Sequence, residues 1–285
     1  MQDLEPIKIK FLSFPNINPV AFSIGPFHIH WYGLGYLLGI SLAFLYSKRL
    51  VNNYSLWANK RPPLNYQQLS DFILWATLGI IIGGRLGDVL LWEPCYYLQH
   101  PSEIMAIWHG GMAFHGGLIG VILACILYAY LNNINCFSLL DITCAGAPIG
   151  LGIVRLCNFI NGELWGKAST LPWAMIFPKA DSMPRHPSQI YEAIMEGAIL
   201  FIILFIAIYK FKTLKRSGLT AGLFCVLYSI ARIVAEFFRE KDVAPLWFEN
   251  IFNNTIFSYG MFLCLPMLGV GLILIIYASK KKHAN

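Results

Sequence analysis

Seven apolar runs, each close to the ~20 residues that carry a helix across a bilayer, occupy roughly 28–47, 71–92, 112–131, 139–160, 188–209, 218–238 and 257–279 of this 285-residue chain. In lipid a backbone amide finds no water, so a spanning run must close its hydrogen bonds within itself as a helix. The sequence therefore predicts an all-α polytopic membrane protein with about seven transmembrane helices, built as one integral membrane domain over 1–285. Charged residues make up 13% of the chain, about half the share in soluble domains. The seven cysteines show no C-x-x-C pairing, so they predict neither a disulfide framework nor a zinc site.

The net charge of +6 does not point to nucleic acid, because the basic residues fall in short loops as topology determinants do. They cluster after the first run (Lys48, Arg49, Lys60, Arg61), after the fifth (Lys210, Lys212, Lys215, Arg216) and after the seventh (Lys280, Lys281, Lys282). With seven spans all three clusters share a side. The expected orientation is an extracytoplasmic N-terminal arm over 1–27, a seven-span core over 28–279 and a cytoplasmic basic tail over 280–285. Lys8 and Lys10 fall on the outer side and weigh slightly against it. They precede a Pro-rich polar stretch and not a short apolar run, so no cleavable signal pattern is expected. The longer outer segments, rich in Pro, Trp and His, read as interfacial arms.

Against this background three arginines stand out inside the apolar runs: Arg85, Arg155 and Arg232. A guanidinium at mid-span costs about 2.5–3.5 kcal/mol on insertion scales, so each needs an anionic partner, and lipid phosphate is a chemically suitable one. The other unusual polar residues are Tyr32 opening the first span, Asp88 near the end of the second, His115 at the start of the third, Asn158 ending the fourth, His186 before the fifth and Glu236 ending the sixth. With the N-terminus outside, all belong to the outer half of the bilayer. Such clustering at one depth suggests a pocket. Tyr228, Arg232, Glu236 and Arg239 are spaced i, i+4, i+8, i+11 and share a helix face, as do Arg155 and Asn158 at i, i+3. The alternative reading of Arg232 and Glu236 is an internal ion pair. Arg155 has no acid one turn away, so its partner lies on another helix or on a ligand.

The run His109–Gly120 holds the densest glycine cluster. It reads either as close helix packing or as close approach to a ligand, and His115 within it is able to accept a proton near neutral pH. Asn158–Gly166 reads either as an aromatic belt with turn residues or as part of a functional site, and His186–Glu192 either as a local start signal for the fifth span or as functional residues.

Six of these segments together resemble the prolipoprotein diacylglyceryl transferase family: HWYG (30–33), GGRLG (83–87), GGMAFHGGLIG (110–120), RLCNFINGELWG (155–166), HPSQIYE (186–192) and YSIARIVAEFFR (228–239). They occur in family order and at family spacing from about 14 to 279. The resemblance implies an enzyme of the bacterial inner membrane, with its active site toward the outer leaflet. Such an enzyme moves the diacylglyceryl group of phosphatidylglycerol onto the lipobox cysteine of a prolipoprotein, releasing glycerol phosphate. It implies His115, Arg155 and Arg232 as catalytic, and Tyr32, Arg155, Asn158, Glu163, Gly166, Arg232 and Glu236 as binding the lipid. Arg85, His186, Tyr228 and Arg239 are secondary candidates. No cofactor, metal or nucleic acid is expected. In the family's fourth-span signature, Gly-Arg-x-Gly-Asn, this chain has Val154 and Cys157 where the glycines stand.

Two other classes compete. A transporter or channel for an anionic lipid or solute would use the same arginines, but the chain has no internal repeat. An intramembrane protease would need Ser188 beside His186 as a nucleophile pair, without a Gly-x-Ser-x-Gly motif to support it.

Overall fold

In the computed structural model the described residues are 11–15, 17–106, 110–241 and 258–280. Among these, seven helices are long and apolar enough to cross a membrane: α1 (Trp31–Asn52), α2 (Tyr66–Trp92), α4 (Phe114–Leu131), α5 (Cys136–Asn161), α6 (Ser188–Tyr209), α7 (Leu219–Glu236) and α8 (Tyr259–Lys280). A short helix, α3 (Pro94–Gln99), follows α2. The expected spans are all present, with shifted ends. Residues 28–30 are not helical, because Phe27–His30 (β3) pairs with Val20–Ile24 (β2) in a hairpin turned at Gly25. At its other end α1 continues past its basic residues to Asn52. Lys8, Lys10, His109, Lys281 and Lys282 lie outside the described residues, as does most of the last outer segment.

The ends of the helices follow from local chemistry. α2 opens with a capping box in which the Asn65 side chain accepts from the Gln68 amide and Gln68 returns the bond. α5 begins where the Asn135 side chain accepts from the Ser138 amide and ends at Gly162 in the left-handed region, φ 60°. α7 is capped from a neighbour. The fully buried Asp141 carboxylate on α5 accepts from the Gly218 amide at 2.7 Å and the Ala221 amide at 2.8 Å. That fixes α7, the helix bearing Tyr228 and Arg232, onto α5.

Small residues set the helix pairing. α2 lies on α4 through Gly79, Gly83 and Gly87 facing Gly116 and Gly120. A Cβ on Gly79 would sit 2.6 Å from the Gly120 carbonyl oxygen, and one on Gly87 would sit 2.8 Å from the Gly116 Cα. Packing thus accounts for Gly116 and Gly120, as small-residue faces do in lipid. α1 lies on α5 at Gly39 and Gly150, and α7 on α8 at Gly222 and Gly271. A tight apolar cluster, including Leu50, Trp57, Phe72, Tyr128, Leu139 and Ile208, closes the end of the bundle that carries the basic loops.

The opposite end carries the arms. β1 (Leu12–Ser13) pairs parallel with β4 (Met175–Ile176), which pairs antiparallel with β5 (Pro184–Arg185). Two spans widen into π-helical turns near this end, at Asp88–Trp92 in α2 and Ala193–Ile199 in α6. Such turns interrupt the regular register and recur at functional sites.

Candidate active site

Because the helices alternate in direction, the start of α1, the end of α2, the start of α4 and the ends of α5 and α7 meet at the arm-bearing end. They surround a cavity of about 1130 Å³. Tyr32, His115, Arg155, Asn158, Tyr228, Arg232 and Arg239 all line it, with Asp88 and Thr77 from α2 and largely apolar walls from α1, α2, α4 and α8. A shallower depression at the other end, lined by Lys48, Arg49, Asn52 and Tyr54, gathers no acid or histidine.

The Arg232–Glu236 ion pair that the spacing allowed is present, and the arginines have two further partners that the sequence reading did not assign. Glu192 and Glu196 lie fully buried on α6. Arg155 Nε is 3.2 Å from Glu192 Oε2 and its Nη2 is 3.1 Å from Glu196 Oε2. Arg232 Nη1 donates to Glu192 Oε1 at 2.8 Å, and its Nη2 meets Glu236 Oε1 at 2.6 Å. Arg239 Nη1 donates to the same Glu192 Oε1 at 3.0 Å. One carboxylate therefore bridges three guanidiniums, and three arginines face three glutamates. Glu192 is not merely a start signal for α6, as its position had suggested. The buried charges are tolerated because each cation is matched at contact distance, whereas an unmatched one would be strongly disfavoured.

The arrangement is polarised. Arg155, Arg232 and Arg239 line the cavity, while Glu192, Glu196 and Glu236 do not. An anion in the cavity would meet planar, pre-oriented donors with their counter-charges fixed behind them. No bond among the described residues uses Nη1 of Arg155.

Several expected site residues sit one layer out. Glu163 accepts from Asn158 Nδ2 at 2.8 Å and so orients that amide from outside the cavity. Gly166 contributes backbone only. Its amide donates to the His186 carbonyl, and a Cβ there would fall 2.5 Å from the Phe238 carbonyl oxygen. This close crossing, continued by an isolated bridge to Arg239, clasps the end of α7. His186 packs its ring on Phe238 with centroids 5.3 Å apart, away from the cavity. Burial first, and Lys167 second, hold the imidazole below its ordinary pKa. A neutral ring suits its 3.2 Å contact with the Tyr191 hydroxyl, which itself accepts from Trp173 Nε1. Arg85 is absent from the cavity wall and gives its donors to the carbonyls of Glu103, Ile104 and Gly110.

Cys157 occupies a packing position. Its Sγ rests where a Cβ on Gly35 would stand, and it lies 3.6 Å from the Trp31 carbonyl. Val154 lines the cavity, yet Cys157 does not. Cys157→Gly and Cys157→Ser are accordingly expected to keep most activity at normal expression. A covalent role for the thiol would require loss in both variants and a lipid adduct on Cys157 detectable by mass spectrometry.

A family model described as prolipoprotein diacylglyceryl transferase matches residues 19–277. The phosphatidylglycerol–prolipoprotein diacylglyceryl transferase of Bartonella tribocorum is 52% identical over 276 residues, covering 96% of this chain and 94% of that protein. The protein of the same name from Bartonella quintana is 51% identical over 286 residues, covering 100% and 97%. That of Brucella anthropi is 49% identical over 261 residues, covering 92% of each. The six motifs, the seven spans and these near full-length matches agree: the chain belongs to the prolipoprotein diacylglyceryl transferase family.

Proposed function

We propose that the cavity is where this chain transfers the diacylglyceryl group of phosphatidylglycerol to the lipobox cysteine of a prolipoprotein. The observation that carries this reading is one cavity lined by both an imidazole (His115) and three guanidiniums backed by buried carboxylates. The reaction needs those two kinds of group. A thiol near pKa 8.5 must lose its proton to become nucleophilic, and His115 takes it. The thiolate sulfur attacks the glyceryl carbon that bears the phosphate ester. A C–S bond forms, the C–O bond breaks, and the electron pair leaves with glycerol phosphate. The leaving phosphate gains negative charge, which Arg155 and Arg232 stabilise as pre-oriented donors. Asn158, held by Glu163, and Tyr32 orient the headgroup. The apolar walls, including Leu37, Ile80 and Leu263, accept acyl chains.

The cavity opens, in this reading, to the outer leaflet of the bacterial inner membrane, where an exported precursor presents its cysteine. The support is that the basic loops lie at the opposite end of the bundle. A reporter fused after Asn285 is expected to be active only in the cytoplasm. A periplasm-active fusion would invert this placement. The test of the reaction itself is mass spectrometry of a lipobox peptide incubated with the purified protein and phosphatidylglycerol. The peptide should gain one diacylglyceryl group on cysteine, and a Cys-to-Ser peptide should gain none. Absence of the adduct with an active, folded preparation overturns the proposal.

A further inference from the structure

Arg85 is a buried intramembrane arginine whose charge the proposed transfer does not use. Its side chain is only 6% exposed and lies outside the cavity wall. The guanidinium is spent on the main chain of the outer segment that follows α3. Nε donates to the Ile104 carbonyl at 3.0 Å. Nη1 donates to Gly110 at 2.5 Å and to Gly111 at 3.1 Å, and Nη2 to Glu103 at 2.5 Å and Ala106 at 3.4 Å. Five carbonyls from both ends of one segment thus converge on a single planar group, which Lys, with one point of charge, cannot reproduce.

Two neighbours complete the arrangement. The Arg85 guanidinium lies 5.0 Å from the centroid of the Tyr97 ring, and the Tyr97 hydroxyl donates to Asp88 Oδ2 at 3.0 Å. Asp88 Oδ2 is 3.7 Å from Arg85 Nη1. Gly111, at φ 75°, has no room for a side chain: a Cβ there would be 2.7 Å from Arg85 Nη1 and would overlap the Asp88 carboxylate. The chain then returns to α2 immediately, with the Ala113 amide donating to the Gly84 carbonyl at 2.9 Å. α4 begins at Phe114, and its second residue is His115.

We propose that Arg85, Asp88 and Tyr97 form a positioning unit that fixes the backbone delivering His115 to the cavity. On this assignment Arg85 acts in the transfer through His115 and not through the lipid phosphate. The inference rests on the reading of His115 as the group that receives the thiol proton. It also explains why the glycine pair Gly110–Gly111 precedes the histidine: the pair folds carbonyls onto a guanidinium, and the ligand-cradle reading of these two residues is not needed.

The experiment is a double-mutant cycle on the full-length protein in detergent, with phosphatidylglycerol and a lipobox peptide. Arg85→Lys should lower kcat at least tenfold, with KM for phosphatidylglycerol unchanged within twofold. Tyr97→Phe, which keeps the ring and removes only the hydroxyl, should lower kcat several-fold and guards against a misfolded Arg85 variant. In a His115→Gln background neither change should cost much more, whereas a phosphate ligand would still matter there. Amide hydrogen exchange of the 110–117 segment should rise in both variants while that of 228–239 stays put. Unaltered exchange at 110–117, a raised KM for phosphatidylglycerol, or losses that simply add to that of His115→Gln each overturn the positioning role. A His115→Gln protein that retains full kcat would instead overturn the base assignment, whatever the exchange data show.

Discussion

Arg155→Ala is expected to cut turnover by about tenfold to a hundredfold or more, and Arg155→Lys to restore only part of it. Charge-assisted hydrogen bonds to a leaving phosphate contribute about 1.5–3 kcal/mol each, and every ~1.4 kcal/mol is a factor of ten in rate. Lysine keeps the charge but loses the planar fork. The Arg155 contacts with Glu192 and Glu196 add a second consequence. Removing the cation leaves buried carboxylates short of a partner, and breaking a buried pair from one side costs about 3–5 kcal/mol. Thermal stability in detergent should therefore fall together with activity. The double variant Arg155→Ala/Glu196→Gln separates the two effects: stability should recover, and turnover should not. Recovery of both would mean that Arg155 serves the fold alone.

His115→Gln is expected to lose about 10²–10⁴-fold in rate at neutral pH, the usual range for a general base. Its defect, unlike that of Arg155→Ala, should respond to pH. Only about 3% of a thiol with pKa 8.5 is ionised at pH 7, against half at pH 8.5, so the variant should regain up to roughly fifteenfold across that interval. Arg155→Ala should follow the wild-type profile with no such gain, because its fault is not in removing a proton. Identical pH responses in the two variants would show that the histidine only positions substrate.

Much of this architecture was legible because lipid imposes simple rules. The ~20-residue apolar runs located every span, and the charges that interrupt them marked one end of the bundle. The reading did not assign two of the three glutamates that meet the arginines. Glu192 and Glu196 stand four residues apart in an otherwise apolar span, which is the same signal that singled out Arg155. That signal also singled out Asp88 and Glu236, but a carboxylate near the start of a span resembles a cap. Arg85 misled for the opposite reason. Its intramembrane position was correctly read as demanding partners, but carbonyl dipoles from a loop satisfy a guanidinium as well as an anion does, and loop geometry leaves no periodicity in sequence. Gly166 shows a third limit, since its crossing with Phe238 and His186 joins segments far apart in the chain.

The single carboxylate shared by three guanidiniums also bears on how such a chain enters the membrane. α5 with Arg155 is synthesised before α6, and α6 carries two carboxylates whose residence in lipid alone would be costly at about 2.5–3.5 kcal/mol for each such charge. Arg155 precedes them in the chain and pairs with both, so α5 and α6 are expected to insert most favourably as a hairpin with its charges paired. Arg232 and Arg239, arriving later on α7 and just beyond it, then find Glu192 waiting. The ion pairs that offset these buried charges are thus the same ones that hold Arg155, Arg232 and Arg239 at the cavity.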